Sequence, residues 1–258
     1  MTRLVRAELL KLRTTKVTWV LLAVGAVTAG LLAALVVVRS STAAQQAGLP
    51  LVGSVAWRRL VLGLSGVTEY FALVAGILCV AGEYRHGTIT STFLVEPRRG
   101  RVIAAKLGAS GLAGAVFAIA AMVVVISVAA GTSAAERAAT GNVVPALPAV
   151  APGLILATAL YGVYGAGLGA LLRNQVLAVV IALSFSLIGE SIVTDLLPQV
   201  GKWLPDAAAA SFSSSSQAGQ IQGSAHMLVW WAGGLVLLAY GISAALVGVM
   251  TAVRSDVT

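Results

Sequence analysis

The stretch Val17–Val38, VTWVLLAVGAVTAGLLAALVVV, decides what kind of molecule this is. It runs for 22 residues without one ionisable side chain. A helix rises 1.5 Å per residue, so about 20 apolar residues cross the ~30 Å hydrocarbon core of a bilayer. The run follows a basic segment, as a secretory signal does, but a signal's apolar region holds only about 7–15 residues. A retained spanning helix is expected instead. Five further runs follow, at Val61–Gly82, Leu107–Gly131, Pro152–Leu172, Gln175–Thr194 and Met227–Val253, none with more than one charged residue. Only Arg173 and Asn174 separate the fourth from the fifth, which requires a tight helical hairpin.

Composition points the same way. Hydrophobic residues make up 59% of the 258 and charged ones 10%, with a mean hydropathy of +0.96. A soluble domain carries about 25% charged residues, so there is too little charge here to cover a water-facing surface. The expected fold is an all-α membrane protein with six transmembrane helices, forming one domain over residues 1–258 with no appended soluble domain. The formal charge of +8 raises nucleic acid as a partner, but the bases flank apolar spans instead of lining one face. Cys79 is the sole cysteine, so no internal disulfide is possible, and His86 and His226 lack companions at metal-ligand spacing. No metal site is expected.

Orientation follows from Lys and Arg, which favour the cytoplasmic side. With the N-terminus inside, Arg3, Arg6, Lys11, Arg13, Lys16, Arg85, Arg98, Arg99, Arg101, Lys106, Arg173 and Arg254 are cytoplasmic. Only Arg39, Arg58, Arg59, Arg137 and Lys202 then lie outside. Both termini are therefore expected to be cytoplasmic. Residues 1–16 place Val5, Leu9 and Leu12 at i, i+4, i+7, with Arg3, Arg6 and Arg13 projecting elsewhere. That is an interfacial helix against anionic headgroups, or a plain positive-inside anchor. The outer connection after the fifth span is apolar over Leu196–Ala210. Irregular backbone of that composition is tolerated where protein or a cavity buries it, so short re-entrant helices are expected.

The polar break between the second and third spans, EYRHGTITSTFLVEPRRGR over Glu83–Arg101, is too polar for lipid and too rich in Ile, Phe, Leu and Val for a solvated loop. Ile89, Phe93 and Leu94 share one face of a short helix closed by Pro97. Such a helix suits docking to another protein and converting its movement into helix tilt; an inert connecting loop is the alternative.

Here the chain resembles the membrane subunit of bacterial type-2 ABC exporters, permeases for drugs, antibiotics, lipids and polysaccharides. That family's Glu-x-x-x-Gly-Thr reads Glu83, Gly87, Thr88. Its Pro-x-x-Arg reads Pro97 to Gly100 with Arg101 one place late, and its Ala-Lys-Leu reads Ala105-Lys106-Leu107. Gly165-x-Gly-Leu-Gly169, then Leu171-Leu172-Arg173-Asn174-Gln175, Trp203-Leu204-Pro205 and Arg254-Ser255-Asp256-Val257 follow in the family's order. At the start stands Ala7-Glu8-Leu9-Leu10-Lys11-Leu12, so the likeness covers residues 1–257.

The resemblance implies a bacterial cytoplasmic-membrane protein whose residues 83–96 hold a coupling helix seated on a cytoplasmic ABC ATPase, present in two copies. Glu83, Arg85, Gly87 and Thr88 carry that role over, within a docking surface that also takes in Tyr84, His86, Ile89, Thr90 and Phe93. Arg173 and Asn174 form a smaller second contact. A second permease, identical or a sister chain, would complete the pathway. ATP and Mg belong to the ATPase, because a P-loop needs G-x-x-x-x-G-K-[ST] and the one Gly-Lys pair here, Gly201-Lys202, is followed by Trp203. The chain itself is expected to bind no cofactor and to have no catalytic residue.

Two acids stand inside apolar spans. Glu69 lies 13 residues from Gly82, about 20 Å along a helix and so near the midplane; Glu190 lies near the outer end of the fifth span. Such residues face a bundle interior or a wet cavity, and either line a substrate path or pack by hydrogen bonding, with Thr68 and Ser65 at hand for Glu69. Gly165 and Gly169, Gly111 with Ala115, and Gly241 with Ala245 form small-xxx-small pairs that permit close helix approach. The nearly uncharged spans favour an amphipathic or lipid-like cargo. A non-transporting scaffold or sensory subunit shares all these motifs, whereas an intramembrane enzyme would need paired acids or a Ser/His arrangement at membrane depth.

Overall fold

The computed structural model describes residues 2–42, 50–89, 94, 96, 98–135, 142–212 and 228–254. The regular structure among them is helical, without a strand. α1 (Thr2–Thr14) and α2 (Lys16–Thr42) are separated at Thr15. Ser54 starts α3 (Val55–Gly63) by accepting a hydrogen bond from Trp57 N–H at 3.1 Å, satisfying one of the donors a helix start leaves open. A 3₁₀ turn at Leu64–Val67 leads into α4 (Thr68–Arg85). α5 (Arg99–Ala135) has 37 residues, about 55 Å at 1.5 Å each. α6 (Leu147–Leu172) ends at Arg173, whose φ of 51° is left-handed and whose N–H bonds back to Gly169 O at 3.1 Å. Asn174 then caps α7 (Gln175–Ser184) by accepting from Leu177 N–H at 3.1 Å. These two residues make the tight hairpin. α7 widens through a π-turn at Phe185–Gly189 into α8 (Glu190–Leu196), and α9 (Pro198–Gly201), α10 (Pro205–Phe212) and α11 (Trp230–Arg254) follow.

Among the described residues, five helical stretches are long and apolar enough to cross a membrane: Lys16–Arg39, Val55–Arg85, Gly100–Gly131, Val144–Leu172 and Gln175–Leu196. The sixth expected span falls on α11, whose apolar part, Trp231–Val247, is shorter than these. Helices overrun the apolar runs at both ends. Val61–Gly82 sits inside Val55–Arg85, and Leu107–Gly131 inside Arg99–Ala135. Hydropathy marks where lipid ends, whereas main-chain hydrogen bonding carries the helix on into water.

α6 is the centre of the bundle, packed on α4, α5 and α11. Between helices in lipid there is little hydrophobic drive, so cohesion comes from close van der Waals contact, which small residues permit. Gly165 and Gly169 lie against the α4 backbone. A methyl group on Gly165 would strike Leu73 O, and one on Gly169 would come within 2.8 Å of Ile77 O. Gly114 is as close to the Thr158 carbonyl, and Gly167 to Gly241 O. α6 thus meets three neighbours backbone to backbone. α2 is peripheral, burying Ala29, Ala33 and Val37 against Ala121, Val125 and Ala129 of α5. Its other side leaves Trp19, Val20, Val24, Val27, Leu31 and Leu35 exposed, as a lipid-facing side requires.

Candidate functional site

Two groups of ionisable residues stand out, one at each end of α4. The first is at its C-terminal end. Lys106, on α5, has no solvent exposure, and its ammonium meets Glu8 Oε2 at 2.8 Å and Glu83 Oε1 at 2.7 Å. Lys11, on α1, bridges the same two carboxylates at 2.9 and 2.8 Å, its side chain half exposed. Two acids and two bases close a neutral ring that ties the α1 helix to the last turn of α4 and the second turn of α5. Lys106 also donates to Cys79 O at 3.4 Å. Desolvating a lysine costs several kcal/mol unless it is paired and hydrogen-bonded, and here both conditions are met. Partial burial works to lower the Lys11 pKa, but the bonds to Glu83 and Glu8 outweigh it and hold the group above the usual lysine value.

The ring fixes the root of the polar link. Glu83, Tyr84 and Arg85 form the end of α4, and His86, Gly87 and Thr88 turn away from it, with Gly87 at a φ of 67°. A residue with a Cβ at that φ is strained by roughly 1–2 kcal/mol, so glycine sets the direction of departure. Arg85, His86, Gly87 and Thr88 are exposed, while the Glu83 side chain is only 12% exposed and faces the two lysines. Ile89 is helical; Thr90 and Phe93 lie outside the described residues. The Arg173 guanidinium sits 5.9 Å from the centre of the Tyr84 ring, so the α6–α7 turn adjoins the root of the link. Asn174 is exposed, its side chain engaged as a cap.

Beside the ring lies a cavity of about 590 Å³. Leu12, Val17, Leu21, Ala75 and Leu78 give it apolar walls, and Lys11, Glu83, His86 and Thr88 stand at its polar end.

The second group is at the start of α4. Glu69 and Tyr70 open that helix, and Glu190 opens α8. Asp206, in the first turn of α10, accepts hydrogen bonds from Tyr70 OH at 2.8 Å and from Tyr161 OH of α6. Its own N–H donates to Glu190 Oε2 at 2.7 Å. Glu190 is 3% exposed, and the hydroxyl of Ser186, one turn before it, stands beside its carboxylate. Thr68 gives its hydroxyl to Ser65 O at 2.7 Å, so it is not spent on Glu69. Tyr70, Tyr161, Tyr164 and Tyr240 form an edge-to-face series with centroid spacings of 6.4, 6.3 and 5.8 Å.

Sequence reasoning singled out Glu69 and Glu190 but missed Asp206, Tyr70 and Tyr161, and it read Lys106 and Glu8 only as parts of motifs. An acid in the apolar stretch 196–210 is the same signal that marked Glu69. Nothing local distinguishes Tyr161 from a packing tyrosine. No protein-family profile, curated protein or solved structure matches the chain.

Proposed function

We propose that the chain is the membrane-spanning half of a type-2 ABC exporter in a bacterial cytoplasmic membrane, moving an amphipathic cargo with energy from a separate ATPase. The observation that carries this reading is the ring of Glu8, Lys11, Glu83 and Lys106. It makes the root of the exposed link a stiff extension of two long apolar helices and of α1, which a force-transmitting element needs and an idle loop does not. In this reading residues 83–96 seat on the ATPase, with Arg85, Gly87 and Thr88 in contact and Glu83 as the anchor behind them. ATP binding draws two ATPase subunits together; the links follow, and α4 and α5 tilt as a pair. A second permease, identical or a sister chain, closes the pathway.

The finer topology belongs to the same proposal. α11 is the sixth span, both termini are cytoplasmic, and α9 and α10 are re-entrant. The bonds of Asp206 to Tyr70 and Tyr161 support the last point, because Tyr161 lies 11 residues before the end of α6, about 16 Å along the helix.

The test is reconstitution in proteoliposomes with the cognate ABC ATPase. ATP-dependent flux of an amphipathic dye is expected, absent with a hydrolysis-dead ATPase. Stable ATPase capture without flux would favour a scaffold or sensory subunit, and no capture at all would sink the proposal.

A further inference from the structure

We propose that the cavity between the α1–α2 elbow and α4 holds one anionic phospholipid of the adjoining leaflet, with its phosphate on Lys11 and an acyl chain along α4. The site is separate from any cargo path, and its occupation requires no ATPase.

The cavity has the polarity of a lipid laid along a helix. Its α4 wall is a stripe of Ala75, Leu78, Cys79, Gly82, Glu83 and His86, at the i, i+3, i+4 spacing of one helix face. From Ala75 to Glu83 this stripe runs about 12 Å and passes from apolar to charged. Facing it, Leu21 and Val17 of α2 give way to Thr15, Thr14 and Lys11 in the same direction. The change falls at Lys16 and Val17, where the first apolar run begins. Trp19, 53% exposed, stands at that level, as tryptophans do where lipid tails meet headgroups. The volume of about 590 Å³ lies within the roughly 300–1,000 Å³ of ligand sites.

Helix packing explains the gap. α2 and α4 touch where Gly25 lies against Phe71, an added Cβ there standing 3.1 Å from the ring. α1 packs chiefly on α5, and the space between the elbow and α4 is left as the cavity. Val17 is 49% exposed, and His86 and Thr88 are exposed as well, so the cavity is open at its edge.

The selection of charge follows from the ring. Glu8 and Glu83 turn inward to Lys106, with side chains 7% and 12% exposed, whereas Lys11 is 50% exposed. A ring that is neutral in sum therefore shows its cationic member to the cavity. An ammonium has three N–H donors. Glu8 and Glu83 hold two of them, and the third is left for an oxygen in the cavity. Arg13 and Lys16 on the elbow, and Arg85 next to His86, are exposed and add positive potential. Basic groups so placed at the end of a span attract anionic headgroups. Thr18 and Gln175 supply further hydrogen-bonding groups. The apolar walls at Leu12, Leu21 and Leu78 suit an acyl chain, which free phosphate lacks.

The experiment measures calorimetric binding of dioctanoyl phosphatidylglycerol to the purified full chain in dodecyl maltoside. Dioctanoyl phosphatidylcholine and glycerol 3-phosphate serve as the zwitterionic and the chain-free probe. Saturable binding of one phosphatidylglycerol per protein is expected, at least tenfold tighter than phosphatidylcholine, with no competition from glycerol 3-phosphate at equal concentration. These arms need no variant to fold. Lys11→Met should abolish the preference between the two lipids, and Leu78→Trp should weaken both at least tenfold by filling the apolar end. Arg6→Gln, an exposed change on the same helix but outside the cavity, should alter neither. Non-saturable uptake or equal affinity for the two lipids would overturn the proposal. So would glycerol 3-phosphate competing as well as the lipid, which makes this an anion site without a lipid. A preference that survives Lys11→Met and falls in Arg6→Gln would overturn it too, because the cause is then general attraction to a basic helix.

Discussion

Replacing Lys106 with Met tests the ring at the root of the link. Methionine fills much the same space, so the chief loss is the charge. Lys106 has no exposure and pairs with Glu8 at 2.8 Å and Glu83 at 2.7 Å. Removing one member of a buried ion pair costs about 3–5 kcal/mol, because its partners stay buried and uncompensated. Lys11 remains and still bridges both acids, which sets the expectation at the low end, about 3 kcal/mol. At 1.4 kcal/mol per tenfold that is roughly a hundredfold in the unfolding equilibrium. Lys11→Met removes the same two contacts from a side chain that is 50% exposed, where such pairs are worth about 1 kcal/mol or less. The assay is reversible unfolding in mixed micelles with increasing dodecyl sulfate, followed by helical circular dichroism. Glu83→Gln combined with Lys106→Met should cost clearly less than the two single changes summed, since both act on one contact. The reasoning fails if the two lysine variants are equally stable, or if residues 83 and 106 prove additive.

Gly165→Ala should destabilise by about 1–3 kcal/mol as the α4–α6 contact is forced apart, whereas Gly82→Ala, with nothing within 4 Å of its added methyl, should be neutral or slightly stabilising in the same titration. Asn174→Ala removes the α7 cap and should cost about 1 kcal/mol, with Asn174→Asp largely preserving stability. Gly87→Val strains a φ of 67° and redirects the exposed link. Insertion should be unchanged in a membrane-fractionation assay while ATPase capture falls at least tenfold; normal capture would remove this turn from the docking surface.

Much of the architecture could be read from residue order alone, because a bilayer imposes a one-dimensional rule. A main chain in lipid must satisfy its own hydrogen bonds, so an apolar run of Val17–Val38's length is a helix whatever its neighbours do. The Arg173-Asn174 hairpin is equally local. Two residues leave no room for anything but a left-handed stop followed by a cap. Small-residue spacing at Gly165 and Gly169 announced a close contact, though not with which helix. The candidate sites were less legible. Glu8 is 98 residues from Lys106, and Tyr161 is 45 from Asp206. No period or spacing encodes such pairings.

What the chain determined by itself, then, is where it is helical, how its apolar lengths match a membrane, and which end of each run carries positive charge. These depend on transfer free energies summed along one segment. Only the tertiary structure decided that Glu83 turns inward to two lysines while the residues after it face outward, and that Asp206 joins Glu69 and Glu190 among tyrosines. An ionisable side chain acquires its chemistry from what replaces its water, and that is chosen when the helices pack.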